Sequence, residues 1–154
     1  MYDSFIETVW GHYHANAREM PWRAEPTFYN VLVSEIMLQQ TQVDRVRPKF
    51  DAFMQAFPSL EDLAAAKLSA VLVMWQGLGY NRRAKFLHEA AKVVVRDGTP
   101  NTFNQLVKLS GVGKNTAGAI MNYAFNRPAP FVETNIRTVY LHHFFVDRHD
   151  VHDT

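Results

Sequence analysis

Glu35 stands inside an apolar run, with Val31-Leu32-Val33 before it and Ile36-Met37-Leu38 after it. Two adjacent amides, Gln39 and Gln40, follow, and then Thr41 and Gln42. A helix over 28–39 puts Glu35 on one face with Leu32 and Leu38, three residues to either side. A carboxyl buried there keeps its proton to higher pH and can donate it near neutrality. Paired amides suit the reading of base edges or of an extrahelical base. The alternative is a helix C-terminus with a hydrated Glu and hydrated Gln side chains. A second chemical pattern is Leu109-Ser110-Gly111-Val112-Gly113 between two amphipathic segments. Its two glycines permit a tight hairpin whose backbone N–H groups point out at a helix N-terminus, where phosphate binds without any reading of sequence. Lys114 adds a cation, and Thr116 lies just beyond it. Val107, Leu109 and Val112 read as core positions whose carbonyls can also face a monovalent cation.

Composition bounds the rest. The 154 residues can bury one sizeable core, and a hydrophobic fraction of 47% is that of a globular chain. Cysteine is absent, which excludes disulfides, Cys-ligated zinc and iron–sulfur clusters and suits a reducing, intracellular compartment. No apolar run reaches the roughly 18 residues of a membrane helix, and the N-terminus has no signal-peptide core. The formal net charge of +1 leaves any basic surface to local clustering.

The elements that must position these groups read as helices throughout. Phe5, Ile6, Val9, Trp10 and Tyr13 mark a first helix over 3–17, and Met20-Pro21-Trp22-Arg23 breaks it. Trp22-Arg23 is either a surface stack or part of a pocket wall. Thr27 is placed to cap the Glu35 helix and Thr41 the next, over 43–57, with Val43, Val46, Phe50, Phe53 and Phe57 inward. Pro48 predicts a kink or a helix start near it. Ser59 with Asp62 resembles a capping box. Short helices over 60–66 and 68–75 follow, with Ala64–Ala66 allowing close packing. After the Gly77-Leu78-Gly79-Tyr80 turn, Asn81 should cap a long helix over 82–97 that begins Arg82, Arg83, Lys85. Cations there oppose the helix dipole, and a bound anion would ease that; a solvated charged face is the alternative. Thr102 should cap 103–109; helices over 114–125 and 134–145 complete the chain, with Ile136, Val139, Tyr140 and Phe144 apolar in the last. Tyr123, Phe125, Phe131, Phe144 and Phe145 read as core. His142, His143, His149 and His152 are set aside as metal ligands, because a helical His pair diverges and the tail 147–154 is polar. The chain is all-α.

MPWR at 20–23, SEIMLQQTQV at 34–43, WQGLGYNRRAKFLHEAA at 75–91, LSGVGKNTAGAI at 109–120 and VETNIRTV at 132–139 together resemble the helix–hairpin–helix DNA glycosylases. Within them they are most similar to the A/G-mismatch adenine glycosylases. The resemblance runs from about Met20 to Val146. It implies a six-helix barrel over 22–130, with the helix–hairpin–helix at 103–125. Residues 1–21 would belong to a second helical domain, and 131–154 to a return segment and the start of its C-terminal part. Either a fragment or a shortened relative fits the chain's length, and the family's four-cysteine cluster loop is absent from it. No cofactor would be required. The implied partner is double-stranded DNA with a mismatched or damaged base, bound by a monomer, cytoplasmic and nucleoid-associated in a bacterium, with no membrane involved.

Carried over residue by residue, Glu35 matches the acid that protonates adenine's ring nitrogen. Trp22 and Arg23 match the far wall of the base pocket, and Leu38 and Gln40 match pocket and wedge positions. Tyr80 matches the aromatic wedged beside the mismatch. Gly111, Gly113, Lys114 and Thr116 match the phosphate-gripping hairpin, and Asn135 matches an amide that arranges the carboxylate and sugar. Two positions depart from the family. Glu133 stands where an Asp stabilises the developing sugar cation, so the charge sits one methylene further out. Asn115, on the pocket wall, stands where strand-cleaving relatives carry a lysine nucleophile, and an amide cannot form a Schiff base. The resemblance thus implies monofunctional hydrolysis of an N-glycosidic bond, of adenine opposite guanine or 8-oxoguanine. A thymine or uracil mismatch glycosylase and a catalytically weakened DNA-binding module are the alternatives.

Overall fold

The computed structural model describes residues 2–145. The polar tail, with His149 and His152, lies outside them. Among the described residues every regular element is a helix: α1 (Tyr2–Asn16), α2 (Pro21–Ala24), α3 (Phe28–Leu38), α4 (Val43–Ala56), α5 (Leu60–Ala65), α6 (Leu68–Trp75), α7 (Arg82–Asp97), α8 (Phe103–Leu106), α9 (Lys114–Tyr123) and α10 (Thr134–Phe144).

The helix starts follow capping chemistry. The Thr27 hydroxyl accepts the Asn30 N–H at 3.2 Å, Ser59 accepts that of Asp62 at 3.1 Å, and Thr102 accepts that of Gln105 at 3.3 Å. Ser59 also donates to the Asp62 carboxylate at 2.6 Å, so the box closes between side chains. Two expected caps are not made. Gln42, not Thr41, occupies the cap of α4, and Asn81 sits at the cap of α7 with helical backbone and no side-chain bond. The Thr41 hydroxyl is occupied elsewhere, donating to the Gln39 carbonyl at 3.3 Å. Residues 21–24 form a short helix where a simple break was expected; Pro21, which has no backbone N–H, loses no bond in its first turn because an N–H there would have no intrahelical acceptor. Helix α4 starts at Val43 and runs through Pro48 rather than starting at it. Helix α8 ends at Leu106, three residues short of the expected span, and the chain turns directly into the glycine hairpin.

The α3 helix lies at the centre, packed against α2, α4, α7 and α9, and α7 in turn covers α5 and α6. The alanines of α7 (Ala84, Ala90 and Ala91) are fully buried and let α5 approach closely. Leu32, Ile36 and Met37 of α3 meet Phe53, Leu63, Trp75, Leu87, Leu106 and Ile120 in one core, all without solvent contact. Trp75 packs edge-on to Phe53 with ring centroids 6.0 Å apart, and its indole N–H donates to the Gly79 carbonyl at 3.2 Å. Tyr29 donates its hydroxyl to the Phe57 carbonyl at 2.7 Å, tying α3 to the end of α4.

Helices α1 and α10 differ from the rest. Phe5 packs against Tyr140, His143 and Phe144, with the Phe144 ring centroid at 4.9 Å. The apolar faces of α1 and α10 remain largely open: Trp10 is 56% exposed, and Ile6, Val9, Ile136, Val139 and Tyr140 are exposed as well. Tyr123 and Phe145 are also exposed, against the expectation that they are core. Their helical periodicity is real, but it defines an apolar face without supplying a partner to cover it.

Candidate active site

Glu35 lies in the last turn of α3, where the helix leaves the core and reaches two clefts at once. The larger, about 870 Å³, is lined by Glu35, Leu38, Gln40, Tyr80, Arg82, Asn115, Thr116, Gly113, Glu133 and Asn135 among others. The second, about 670 Å³, is lined by Trp22, Arg23, Glu35 and Glu133, by Val9, Trp10 and Tyr13 of α1, and by Tyr123 and Phe131. Glu35 and Glu133 form the wall between them. One opening carries Leu38, Gln40, Tyr80 and Gly113; the other is backed by aromatic side chains.

Burial pushes the Glu35 carboxyl up to about 7, reinforced by the nearby Glu133 charge and opposed by Arg23. Glu133 lies at the N-terminal cap of α10 in extended backbone, and its side chain makes no capping bond. The segment before it is seated tightly. Asn122 donates to the Ala129 carbonyl at 2.6 Å, and a Cβ added at Gly118 would come within 2.7 Å of Phe131 Cβ. Gly118→Ala is therefore expected to push Phe131 off α9 and cost about 1–3 kcal/mol, measured as a lowered Tm. Asn115 donates weakly to the Val132 carbonyl at 3.5 Å, beside Glu133.

Trp22 is buried to 6% exposure and packs on Phe50 at 5.3 Å, so it is a core residue with one edge on the second cleft. Arg23 is exposed beside it. Gln40 and Tyr80 are exposed and both have left-handed backbone, at φ +55° and +48°. The hairpin has Gly111 at φ +78° with Phe86 against its Cα face: a Cβ there would lie 2.9 Å from Phe86 Cβ. Gly113 and Lys114 are exposed at the start of α9, while Thr116 is buried. Leu109 and Val112 are buried, Val107 is half-buried, and the Leu109 carbonyl already accepts the Val112 N–H at 3.1 Å. Among the described residues no group of three or more His, Asp or Glu side chains could hold a metal ion.

Two residues of this site were not legible as such. Gln39, paired with Gln40 in sequence, acts differently from its neighbour. Its amide donates to the Gly111 carbonyl at 3.1 Å and the Thr116 hydroxyl at 3.3 Å, fastening α3 to the hairpin. Arg83, read with Arg82 and Lys85 as an anion-facing start of α7, is buried and directed inward to backbone carbonyls. Its position next to a helix N-terminus, against the dipole, was the signal that it has strong partners of its own. Arg82 does face the larger cleft, with its guanidinium 5.1 Å from the Phe86 ring centroid.

Glu35, with its carboxyl pushed up to about 7, shares both clefts with Glu133. The sequence pattern of the HhH-GPD superfamily base excision DNA repair proteins matches residues 33–154. The chain belongs to that superfamily. It is 35% identical over 144 residues to the adenine DNA glycosylase of Buchnera aphidicola subsp. Schizaphis graminum, a match covering 91% of this chain and 42% of that protein. It is 41% identical over 152 residues to the adenine DNA glycosylase of Arabidopsis thaliana, covering 80% of this chain and 24% of that one. The chain thus spans less than half the length of these curated relatives. The structure of a thermostable thymine-DNA glycosylase superposes with a TM-score of 0.83 at 30% identity, covering 90% of this chain and 65% of that chain. The superfamily match includes Glu35, the hairpin and Glu133, and it begins after Trp22 and Arg23. No helix among the described residues is long and apolar enough to cross a membrane.

Proposed function

We propose that this protein is a monofunctional DNA glycosylase of base excision repair that extrudes a mismatched base, adenine opposite guanine or 8-oxoguanine, and hydrolyses its N-glycosidic bond. The observation that carries this reading is Glu35, a carboxyl held near neutrality on the wall between the two clefts. Duplex DNA would lie along the larger cleft, its backbone held by the amides of Gly111–Gly113 with Lys114 and Thr116. A monovalent cation on the carbonyls of Val107, Leu109 and Val112 would add charge there. Tyr80, Leu38 and Gln40 would fill the space left by the extruded base. That base would enter between Glu35 and the Trp22, Arg23 side, with Asn115 and Asn135 as polar partners.

The chemistry follows from the two carboxyls. Protonated Glu35 gives its proton to a ring nitrogen of the base, and the glycosidic electron pair leaves with the base. The Glu133 carboxylate stabilises the sugar cation that develops, and water adds at the sugar carbon as its proton passes to the Glu35 carboxylate. Asn115 occupies the position of the lysine nucleophile, and among the described residues no lysine lines either cleft. The monomer is the proposed unit, inside the cell, with no cofactor.

The adenine DNA glycosylase relatives favour adenine. The 30% identical thymine-DNA glycosylase structure motivates a second reading, thymine or uracil opposite guanine. Single-turnover release from A·G, A·8-oxoG, T·G and U·G duplexes decides between them. Release is expected from the adenine duplexes, with no borohydride-trapped protein–DNA adduct. A trapped adduct would overturn the monofunctional assignment, and no release from any duplex would overturn the enzyme.

A further inference from the structure

Only three non-glycine residues among those described have left-handed backbone: Gln40, Tyr80 and Asn126. Two of the three are the exposed side chains that would enter the DNA. Such conformations cost on the order of 1–3 kcal/mol each and persist only where the surroundings impose them. The same side chain, Arg83, hydrogen-bonds to both turns. Arg83 Nη1 donates to the carbonyls of Ile36 and Met37, each at 3.0 Å, and to that of Gln39. Its Nη2 donates to the Thr41 hydroxyl and the Leu78 carbonyl, each at 3.0 Å, and to the Gly79 carbonyl at 3.3 Å. These acceptors flank Gln40 on both sides and immediately precede Tyr80.

The guanidinium also sits 5.5 Å from the Tyr80 ring centroid and 5.7 Å from that of Trp75. The last carbonyls of α3 are orphan acceptors at the negative end of its dipole, and a planar five-donor cation satisfies several of them together. Gly77 and Gly79, at φ +90° and +74°, let the second turn fold back to reach it.

We propose that Arg83 is the positioning residue of the wedge. By holding the turn after the Glu35 helix and the Gly79-Tyr80 turn in one rigid unit, it preforms the blade that separates the extruded base from its partner. The proposal rests on the glycosylase reading for its consequence, while the clamp itself is a property of the folded chain. An ammonium cannot span both turns, so Arg83→Lys breaks the clamp while keeping the charge.

Hydrogen exchange on the full chain tests it. Amides of 38–41 and 77–81 in Arg83→Lys should exchange faster by about tenfold, with α5 and α9 as in the wild type. Thr41→Val, which removes one Nη2 acceptor, should give the same pattern more weakly and serves if Arg83→Lys does not fold. On a duplex carrying the fluorescent purine 2-aminopurine, Arg83→Lys should bind within about threefold of wild type yet unstack the base about tenfold less. At saturating protein its rate of base release should fall by a similar factor. Exchange that is unchanged, or raised equally throughout the chain, overturns the proposal, as does wild-type unstacking. A wild type that releases no base would sink the glycosylase reading alone, since the exchange pattern still decides the clamp.

Discussion

Glu35→Gln is expected to slow base release by on the order of a thousandfold while leaving duplex affinity within about threefold. The amide keeps the shape and the burial of the side chain but has no proton to transfer. Affinity should persist because the proposed phosphate contacts are made by the Gly111–Gly113 hairpin and Lys114 and not by Glu35. The same substitution has a signed effect on stability. The native carboxyl titrates near 7 and the ordinary value is 4.5, so the folded protein holds the extra proton between those limits. Stability tied to Glu35 is therefore complete below about 4.5 and is lost as pH rises through about 7. The ionised, buried carboxylate then costs about 3 kcal/mol. Glu35→Gln removes that cost: its Tm should exceed the wild type at pH 8 and match it at pH 4. Thermal unfolding at the two pH values checks this, and equal Tm differences at both would contradict it.

Glu133→Gln should reduce release by about a hundredfold or more, since it removes the exposed negative charge that would face a developing sugar cation where the two clefts meet. A second consequence separates it from simple damage. Glu133 raises the Glu35 carboxyl and Arg23 lowers it, so neutralising Glu133 leaves Arg23 less opposed. The residual activity should lose its acid at lower pH than in the wild type. The rate–pH profile of the variant checks this. A profile that drops in height without moving toward acid would contradict the electrostatic link between the two carboxyls, though both line the same two clefts.

The sequence reports local periodicity and capping faithfully, and long-range geometry less so. Helix α7 lies over Arg82–Asp97 as its apolar spacing and Gly98 require, and Thr27, Ser59 and Thr102 each cap the helix they precede. These features depend on neighbours within one turn. Arg83 depends on carbonyls more than forty residues away, at the end of α3, and nothing within its own helix names them. Thr41 failed as a cap for the same reason: a distant guanidinium claims its hydroxyl. The exposed faces of α1 and α10 mark a third case, where periodicity gives the apolar side of a helix but not what meets it. For the site, residue types near Glu35 and the Gly111–Gly113 hairpin pointed to the acid and anion chemistry proposed above, with a hydrated helix end as the alternative at Glu35. The pairing of Glu133 with Glu35, 98 positions apart, came from the family resemblance and not from local residue types, and the fold brings both onto the same two clefts.

The most direct test of the central claim is the pH dependence of single-turnover adenine release from A·8-oxoG duplex, with wild type and Glu35→Gln side by side. A wild-type rate that is level in acid and falls about tenfold per pH unit above about 7, with no such limb in a nearly inactive Glu35→Gln, is the expected result. A wild-type rate that does not change between about pH 6 and 9, or a Glu35→Gln variant that releases adenine at the wild-type rate, would show that Glu35 is not the acid.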